Sequence, residues 1–475
     1  MDIPKSASRE STAINLSTKL GYGVGELASE ITGSVLAFFF LFFLTNVAGL
    51  NAGLAGTILL IGKVWDAIND PIIGWLSDRT QSKWGRRYPW MIFGAIPLGL
   101  CFVLLWWVPG IANEQGLFIY YSLMGVLFYI AFSAVVLPYA TLGAELTEYY
   151  DERTSLVSYK AAFSIGGSIL GLLIAQGIFT RIDHPQQKYL VVAGICGAIA
   201  AVSIYLCVWG TYQRFQTLQK KRTQVSRPPA LPLFQQVRLA LSNRPFLLMI
   251  GIYLCSWMGV QVTATMLPYF VVNWMQLRDH HFTQMALAVQ VTGLLMMGFW
   301  NYWGQRWGKR TVYCVGIPLT LIAQAGLFLL QPGQVFAMYG IGVLAGAGLA
   351  VAYLIPWSML PDVVDLDELK TGQRREGIYY GFVVQLQKIG LAISLFMVGK
   401  ILEWSGFISS SGEQASAVTQ PDSALLAIRL LIGPLPSLVL VGGLILAYVY
   451  PITREFHNEI VLQLVERHRQ SQNLS

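Results

Sequence analysis

Between Lys63 and Arg87 the chain reads Lys63-Val64-Trp65-Asp66-Ala67-Ile68-Asn69-Asp70-Pro71, then Gly74, Asp78-Arg79 and Trp84-Gly85-Arg86-Arg87. The first part lies inside an apolar run from Ala52 to Leu76 that is long enough to cross a bilayer, so Lys63, Asp66 and Asp70 are expected at membrane depth. A charged side chain there costs about 2.5–3.5 kcal/mol, and such residues face a protein interior and mark an ion or substrate path. At about 100° per residue, Lys63, Asp66, Asn69 and Asp70 share an arc of about 120° and point toward one space. Two carboxylates and an amide oxygen within a turn and a half suit a small hard cation. Two desolvated acids held close together could instead share a proton. Na⁺ is expected ahead of H⁺, because Asn69 adds an oxygen that a proton does not need. An internal Lys63–Asp66 pair at i,i+3 is the bland alternative, and it leaves Asp70 unexplained.

Other positions could join this chemistry. In the fourth apolar run Ser133 could complete a cation shell, although a Ser in such a helix commonly bonds its own backbone. Glu26 and Glu30 stand four apart on one helical face with Tyr22 and Gly33. Glu30 suits two adjacent hydroxyls of a polyhydroxylated ligand, whereas Glu26, nearer the end of the run, is expected to be hydrated. Lys160 either snorkels to the surface or has a substrate or gating role. Lys388, midway through the eleventh run, needs a carboxylate or cavity water, and Asp66 and Asp70 are the candidates. Tyr353, Trp257, Trp357 and Tyr380 could stack on a sugar face or line an acyl channel.

These residues must be positioned by membrane helices. The chain has 475 residues, 55% hydrophobic and 12% charged, with a mean hydropathy of +0.54, about half the charge of a soluble protein. Twelve runs are long enough to span, from Gly21 to Val47 through Val335 to Leu360 and on to Leu425 to Tyr450. An even number puts both termini on one side. That side's loops hold 24 of the 32 Lys and Arg against 3 opposite, so both termini are expected in the cytoplasm. The net charge of +7 is thereby explained without nucleic acid. The five Cys lie in apolar runs with no CxxC spacing, which argues against a metal or disulfide framework. The segment before Gly21 is polar and mixed in charge, so no removable signal peptide is expected.

The expected organisation is a cytoplasmic segment over 1–20, a six-helix bundle over 21–212, a linker over 213–245, a second six-helix bundle over 246–450, and a cytoplasmic tail over 451–475. The linker holds seven Lys or Arg with Pro228, Pro229 and Pro232. The halves echo each other: Trp84-Gly85-Arg86-Arg87 follows the second run and Trp307-Gly308-Lys309-Arg310 the eighth, 223 residues later. On the same side, Asp362, Asp365 and Arg374 are expected to act as gate charges pairing with Asp78, Arg79 or Glu145, with solvated loop charges as the alternative. The tail could form a short helix and carries no assigned chemistry. No Gly-rich phosphate loop, His cluster or nucleophile elbow appears, so neither an enzyme nor a cofactor is expected.

Two six-span halves with a basic Gly-containing turn after the second span of each resemble the plan of the major facilitator superfamily, an all-α fold whose halves enclose a midplane site. More narrowly, the chain resembles the glycoside-pentoside-hexuronide:cation symporter family, typified by melibiose permease. The resemblance rests on Lys19-Leu20-Gly21-Tyr22-Gly23, the Trp65 to Pro71 motif, Glu152-Arg153, Asp362-Val363-Val364-Asp365 and Lys388. It implies that Asp66, Asp70, Asn69 and Ser133 bind the coupling cation and that Lys388 links this site to the other half. It also implies that Glu30 is the first-span sugar acid and that Lys160 takes the place of a fifth-span arginine. Two departures stand out: where melibiose permease has an Asp and a Trp around the fourth-span Pro, this chain has Val136 and Ala140. The vertebrate lysolipid symporters of the same family also lack that Asp.

The resulting expectation is a monomeric symporter in a bacterial inner membrane that couples Na⁺ or H⁺ to sugar or glycoside transport. The alternative cargo is a lysophospholipid or other amphiphile. Asp66, Asn69, Asp70 and Ser133 would bind the cation, Lys388 and Lys63 would couple, and Glu30, Glu26, Lys160 and Tyr353 would contact substrate.

Overall fold

The structure, a computed structural model, describes residues 14–111, 113–147, 150–219, 241–373, 375–410 and 419–473. The first thirteen residues, most of the expected linker and Arg374 lie outside this set. The first six spans are α1 (Leu16–Val24) with α2 (Leu27–Asn46), α3 (Ala52–Arg79), α4 (Tyr88–Leu105), α5 (Glu114–Leu146), α6 (Tyr150–Phe179) and α7 (Pro185–Gln219). The second six are α8 (Arg244–Tyr269) with a π-helical turn over Phe270–Trp274, α9 (His280–Trp307), α10 (Lys309–Leu329), α11 (Val335–Thr371), α12 (Glu376–Trp404), and α13 (Asp422–Ile432) with α14 (Pro434–Val449). A polar helix, α15 (Arg454–Asn473), follows. Among the described residues eleven helices or helix pairs are long and apolar enough to cross a bilayer. The 28-residue α3 is long enough too, and its interior charges set it apart.

Several helix starts are written in the sequence as asparagines. Asn15, Asn51, Asn113 and Asn243 each accept a hydrogen bond from a backbone N–H of the first turn, at 2.7–3.2 Å, which satisfies a donor the helix cannot. The repeated basic turns also have a local cause. Gly85 and Gly308 sit at φ +88° and +86°, a left-handed conformation that glycine adopts without penalty. The same turn therefore recurs after the second span of each half.

The described residues divide into two compact units, α1–α7 with Ser409 and Ser410, and α8–α15. Their internal packing repeats: α3 and α4 both pack on α5 in the first, and α9 and α10 both pack on α11 in the second. Between membrane helices, close packing replaces the hydrophobic effect as the cohesive term. In the first unit, Phe43, Trp106 and Tyr189 are buried with ring centroids 5.1–5.7 Å apart.

Three elements differ from the hydropathy reading. The first span tightens into a turn at Gly25–Glu26 between α1 and α2, and a Cβ at Gly25 would stand 2.5 Å from the Tyr139 ring. The twelfth breaks at Gly433, where a Cβ would lie 2.6 Å from the Gln324 carbonyl. The tenth overruns Leu360 to Thr371: its 37 residues make about 55 Å of helix against about 30 Å of hydrocarbon, so its polar end projects beyond the bilayer.

Candidate functional site

The site is built where α3 lies on α5. Asp66, Asn69 and Asp70 are buried, at 1%, 4% and 8% exposure, and so is Ser133 at 1%. The Ser133 hydroxyl donates to Asp70 Oδ1 at 2.8 Å and lies 3.4 Å from Asp66 Oδ1, so one hydroxyl stands between two carboxylates. The bland alternative for Ser133, a bond to its own backbone, is not what its hydroxyl makes here. Asn69 donates through Nδ2 to the Tyr129 carbonyl at 3.3 Å, which leaves its oxygen as the end able to ligate. Lys63 Nζ lies 3.9 Å from Asp66 Oδ2 and 4.7 Å from the centre of the Tyr129 ring. Pro71 sits inside α3 one residue after the cluster. Lacking an N–H, it removes one helical hydrogen bond from the turn that carries the acids.

Tyr129 was not singled out by the sequence. It precedes Ser133 by four residues on α5, so helical spacing puts it on the same face. Its part in this contact is a backbone carbonyl and a ring face, which residue type alone does not announce.

A second set of charges lies at the helix ends that carry the two basic turns. Arg87, 5% exposed, donates to Glu145 at 2.7 Å, lies 3.4 Å from Asp78 and touches the Thr141 hydroxyl. Arg86 meets the same Glu145 oxygen at 2.6 Å. In the second unit Lys309 contacts Asp362 at 2.7 Å, and His457 of α15 stands 3.3 Å from Asp362 and 3.4 Å from Asp365. Arg375 pairs with Asp367 at 3.1 Å, and Arg79 stacks on Trp75 at 4.1 Å. In this structure Asp78, Glu145, Asp362 and Asp365 each have a partner inside their own unit. The cause is proximity. The basic turns begin α4 and α10, which pack on the helices carrying Glu145 and Asp362. The tail, given no chemistry from sequence, supplies His457.

Comparison with known proteins places this architecture. Residues 21–454 match the family model described as MFS/sugar transport protein, within the major facilitator superfamily. The chain belongs to this family. It is similar to an uncharacterized symporter of Synechocystis sp., 44% identical over 97% of this chain and 99% of that one. It is also similar to the sodium-dependent lysophosphatidylcholine symporter 1-A of Danio rerio, 27% identical over 99% of this chain and 92% of that one. Among solved structures, the nucleoside transporter NupG aligns with a TM-score of 0.63 over 92% of this chain and all of its own, at 11% identity, a likeness of fold alone. The protein is therefore an integral membrane transporter of the major facilitator class, with relatives that are symporters.

The transporter's candidate substrate residues are distributed over both units. Glu26 is 8% exposed and pairs with Lys160 at 3.4 Å. That overturns a hydrated Glu26, and it gives Lys160 a carboxylate partner rather than a snorkelling position. Gly25 beside Glu26 leaves room for the Tyr139 ring, whose hydroxyl donates to the Tyr22 carbonyl at 2.9 Å. Glu30 is half-buried on α2, and a Cβ at Gly167 of α6 would stand 3.0 Å from the Glu30 Cβ. In the second unit Tyr353 makes an edge contact with Trp257 at 5.1 Å, and Trp357 does the same with Tyr253 at 5.6 Å. Lys388 is half-buried on α12.

Proposed function

We propose that the protein is a Na⁺-coupled symporter of alternating access in which Asp66, Asp70, Ser133 and the Asn69 oxygen hold the ion. One observation carries this reading: a single buried hydroxyl stands between two buried carboxylates at membrane depth. Two acids and the Lys63 ammonium sum to one negative charge. A single monovalent cation neutralises it, and oxygen donors suit Na⁺. H⁺ is the competing ion. Lys388 reports occupancy to the second unit, and Glu30, with the Glu26–Lys160 pair and Tyr353, meets the cargo. The membrane is a bacterial inner membrane with both termini cytoplasmic, as the 24 to 3 distribution of Lys and Arg supports, and the working unit is a monomer.

For the cargo, the family description favours a sugar or glycoside, as in transporters of the melibiose-permease kind. A second reading, a lysophospholipid, is favoured by the full-length similarity to a lysophosphatidylcholine symporter. Val136 and Ala140 add to it, since they offer neither an acid nor a ring for a galactoside. The test is uptake into proteoliposomes of sugars and of lysophosphatidylcholine, with and without an inward Na⁺ gradient. Wild-type protein concentrates one cargo class only when the gradient is present, and Asp70→Asn loses that accumulation by tenfold or more while still exchanging cargo. Undiminished Na⁺-driven accumulation by Asp70→Asn removes the ion assignment.

A further inference from the structure

A groove of about 550 Å³ runs along the outer face of the first unit between α4 and α5. Phe93, Pro97 and Cys101 form one wall, at i, i+4 and i+8 on α4, and Leu127, Ile130 and Ala134 form the other on α5. Its lining is almost entirely apolar. Small residues make the floor: a Cβ at Gly94 would stand 2.6 Å from Val135 Cγ2. At the cytoplasmic end the groove is closed by Thr80 and Trp90, whose indole N–H donates to the Thr80 hydroxyl at 2.8 Å. Phe93 is 66% exposed, and Ile96 and Leu100 beside it on α4 are 56% and 59% exposed. That surface faces the bilayer, so what enters the groove from the side is hydrocarbon.

The chemistry at its cytoplasmic mouth is cationic. Phe93 touches the Trp84 ring at 6.0 Å between centroids, and Lys83 lies over that ring at 5.3 Å. Lys83 is exposed, whereas Arg86 and Arg87 of the same turn are engaged by Glu145. A continuous line of contacts therefore leads from an apolar slot through an interfacial Trp to a solvated ammonium. Trp at the headgroup level and Lys just beyond it are the usual interfacial pair, and a lysine there attracts anionic headgroups.

We propose that this groove is a binding site for one anionic membrane phospholipid, with an acyl chain between α4 and α5 and the phosphate at Lys83. The site lies outside the cation cluster and does not depend on what the transporter carries. Binding there braces α4 against α5, the helix that presents Ser133 to the acids.

The test is native mass spectrometry of the full-length protein in detergent, offered equal amounts of dioleoyl phosphatidylglycerol and dioleoyl phosphatidylcholine. The wild-type protein retains one phosphatidylglycerol per chain in preference to phosphatidylcholine. Lys83→Gln lowers phosphatidylglycerol retention roughly fivefold, the worth of one lysine at an anionic surface, and leaves phosphatidylcholine unchanged. Cys101→Trp, which fills the slot, lowers both, and Ala134→Leu on the facing wall serves where Trp at 101 disturbs α4. Equal retention of the two lipids by wild type, a Lys83→Gln protein that still prefers phosphatidylglycerol, or filled-groove variants that bind as wild type does would each overturn the proposal.

Discussion

The contact between α3 and α5 has a counterpart between α9 and α11, and the two are filled by opposite means. In the first unit the interface is polar: Asp66 and Asp70 around the Ser133 hydroxyl, and Asn69 on the Tyr129 carbonyl. At the spacing that separates the two basic turns, the second unit has Val289, Thr292 and Gly293 in place of Asp66, Asn69 and Asp70. There the helices meet through glycine. A Cβ at Gly346 of α11 would stand 2.4 Å from the Val289 carbonyl oxygen and 2.8 Å from Thr292 Cβ. Small residues that admit close backbone approach are the ordinary adhesive of membrane helices, whereas buried acids are an expense that function must justify. Repetition in this chain copies the scaffold and leaves the chemistry to one copy.

If the second interface is purely a packing surface, Gly346→Ala is the change to which it is most sensitive. The new methyl meets a backbone oxygen that cannot move unless α9 moves with it, so overpacking costs about 1–3 kcal/mol or more. The expected outcome is early thermal unfolding of the second unit. It is read as earlier maleimide labelling of Cys255 and Cys314, while the fully buried Cys196 and Cys207 of the first unit react as in wild type. Residual transport keeps its Na⁺ dependence. A Gly346→Ala protein with normal stability and altered ion dependence would erase the contrast between the interfaces.

The same contrast extends to the helix ends that carry the basic turns. Arg87 is buried and shares Glu145 with Arg86, whereas Lys309 has a third of its side chain exposed and shares Asp362 with His457. Removing one member of a buried pair leaves a desolvated charge behind, so Arg87→Gln is expected to cost about 2–3 kcal/mol, moderated by Arg86. Lys309→Gln loses a half-solvated contact and is expected to cost about 1 kcal/mol or less. Thermal unfolding of the two variants side by side, followed by tryptophan fluorescence, checks the order; equal losses would show that the tail helix contributes nothing to the second cluster.

How far the sequence reaches follows the same physics. The acids of α3 were legible because charge inside an apolar run is improbable without a use, and because a 3.6-residue period puts these four residues on one face. The twelve spans and the repeated turns were legible for similar reasons, the latter because glycine alone fits φ near +87° at Gly85 and Gly308. What stayed hidden depends on a neighbour from elsewhere in the chain. Glu26 reads as hydrated because the sequence does not bring Lys160 of α6 and Tyr139 of α5 beside it. The partners of Glu145 and Asp362 within their own units, brought by α4, α10 and α15, leave no periodic trace. The Tyr129 carbonyl has no residue type to betray it.

The smallest change that separates the two interfaces removes a single oxygen. Ser133→Ala leaves both acids in place and deletes the hydroxyl that lies between them, a hydrogen bond to a charged group worth about 1.5–3 kcal/mol. Part of that is recovered by water, so the Na⁺ concentration for half-maximal uptake is expected to rise about tenfold with little change in the maximal rate. Ser133→Thr restores most of the affinity because it restores the oxygen. Thr292→Ala on α9 deletes a hydroxyl from the second interface, at the position matching Asn69, and is expected to shift the same value less than twofold. The pair of variants carries the comparison further than either does alone. A large effect at Thr292 would make the second interface part of the ion path, and no effect at Ser133 would reduce its contact with Asp70 to packing.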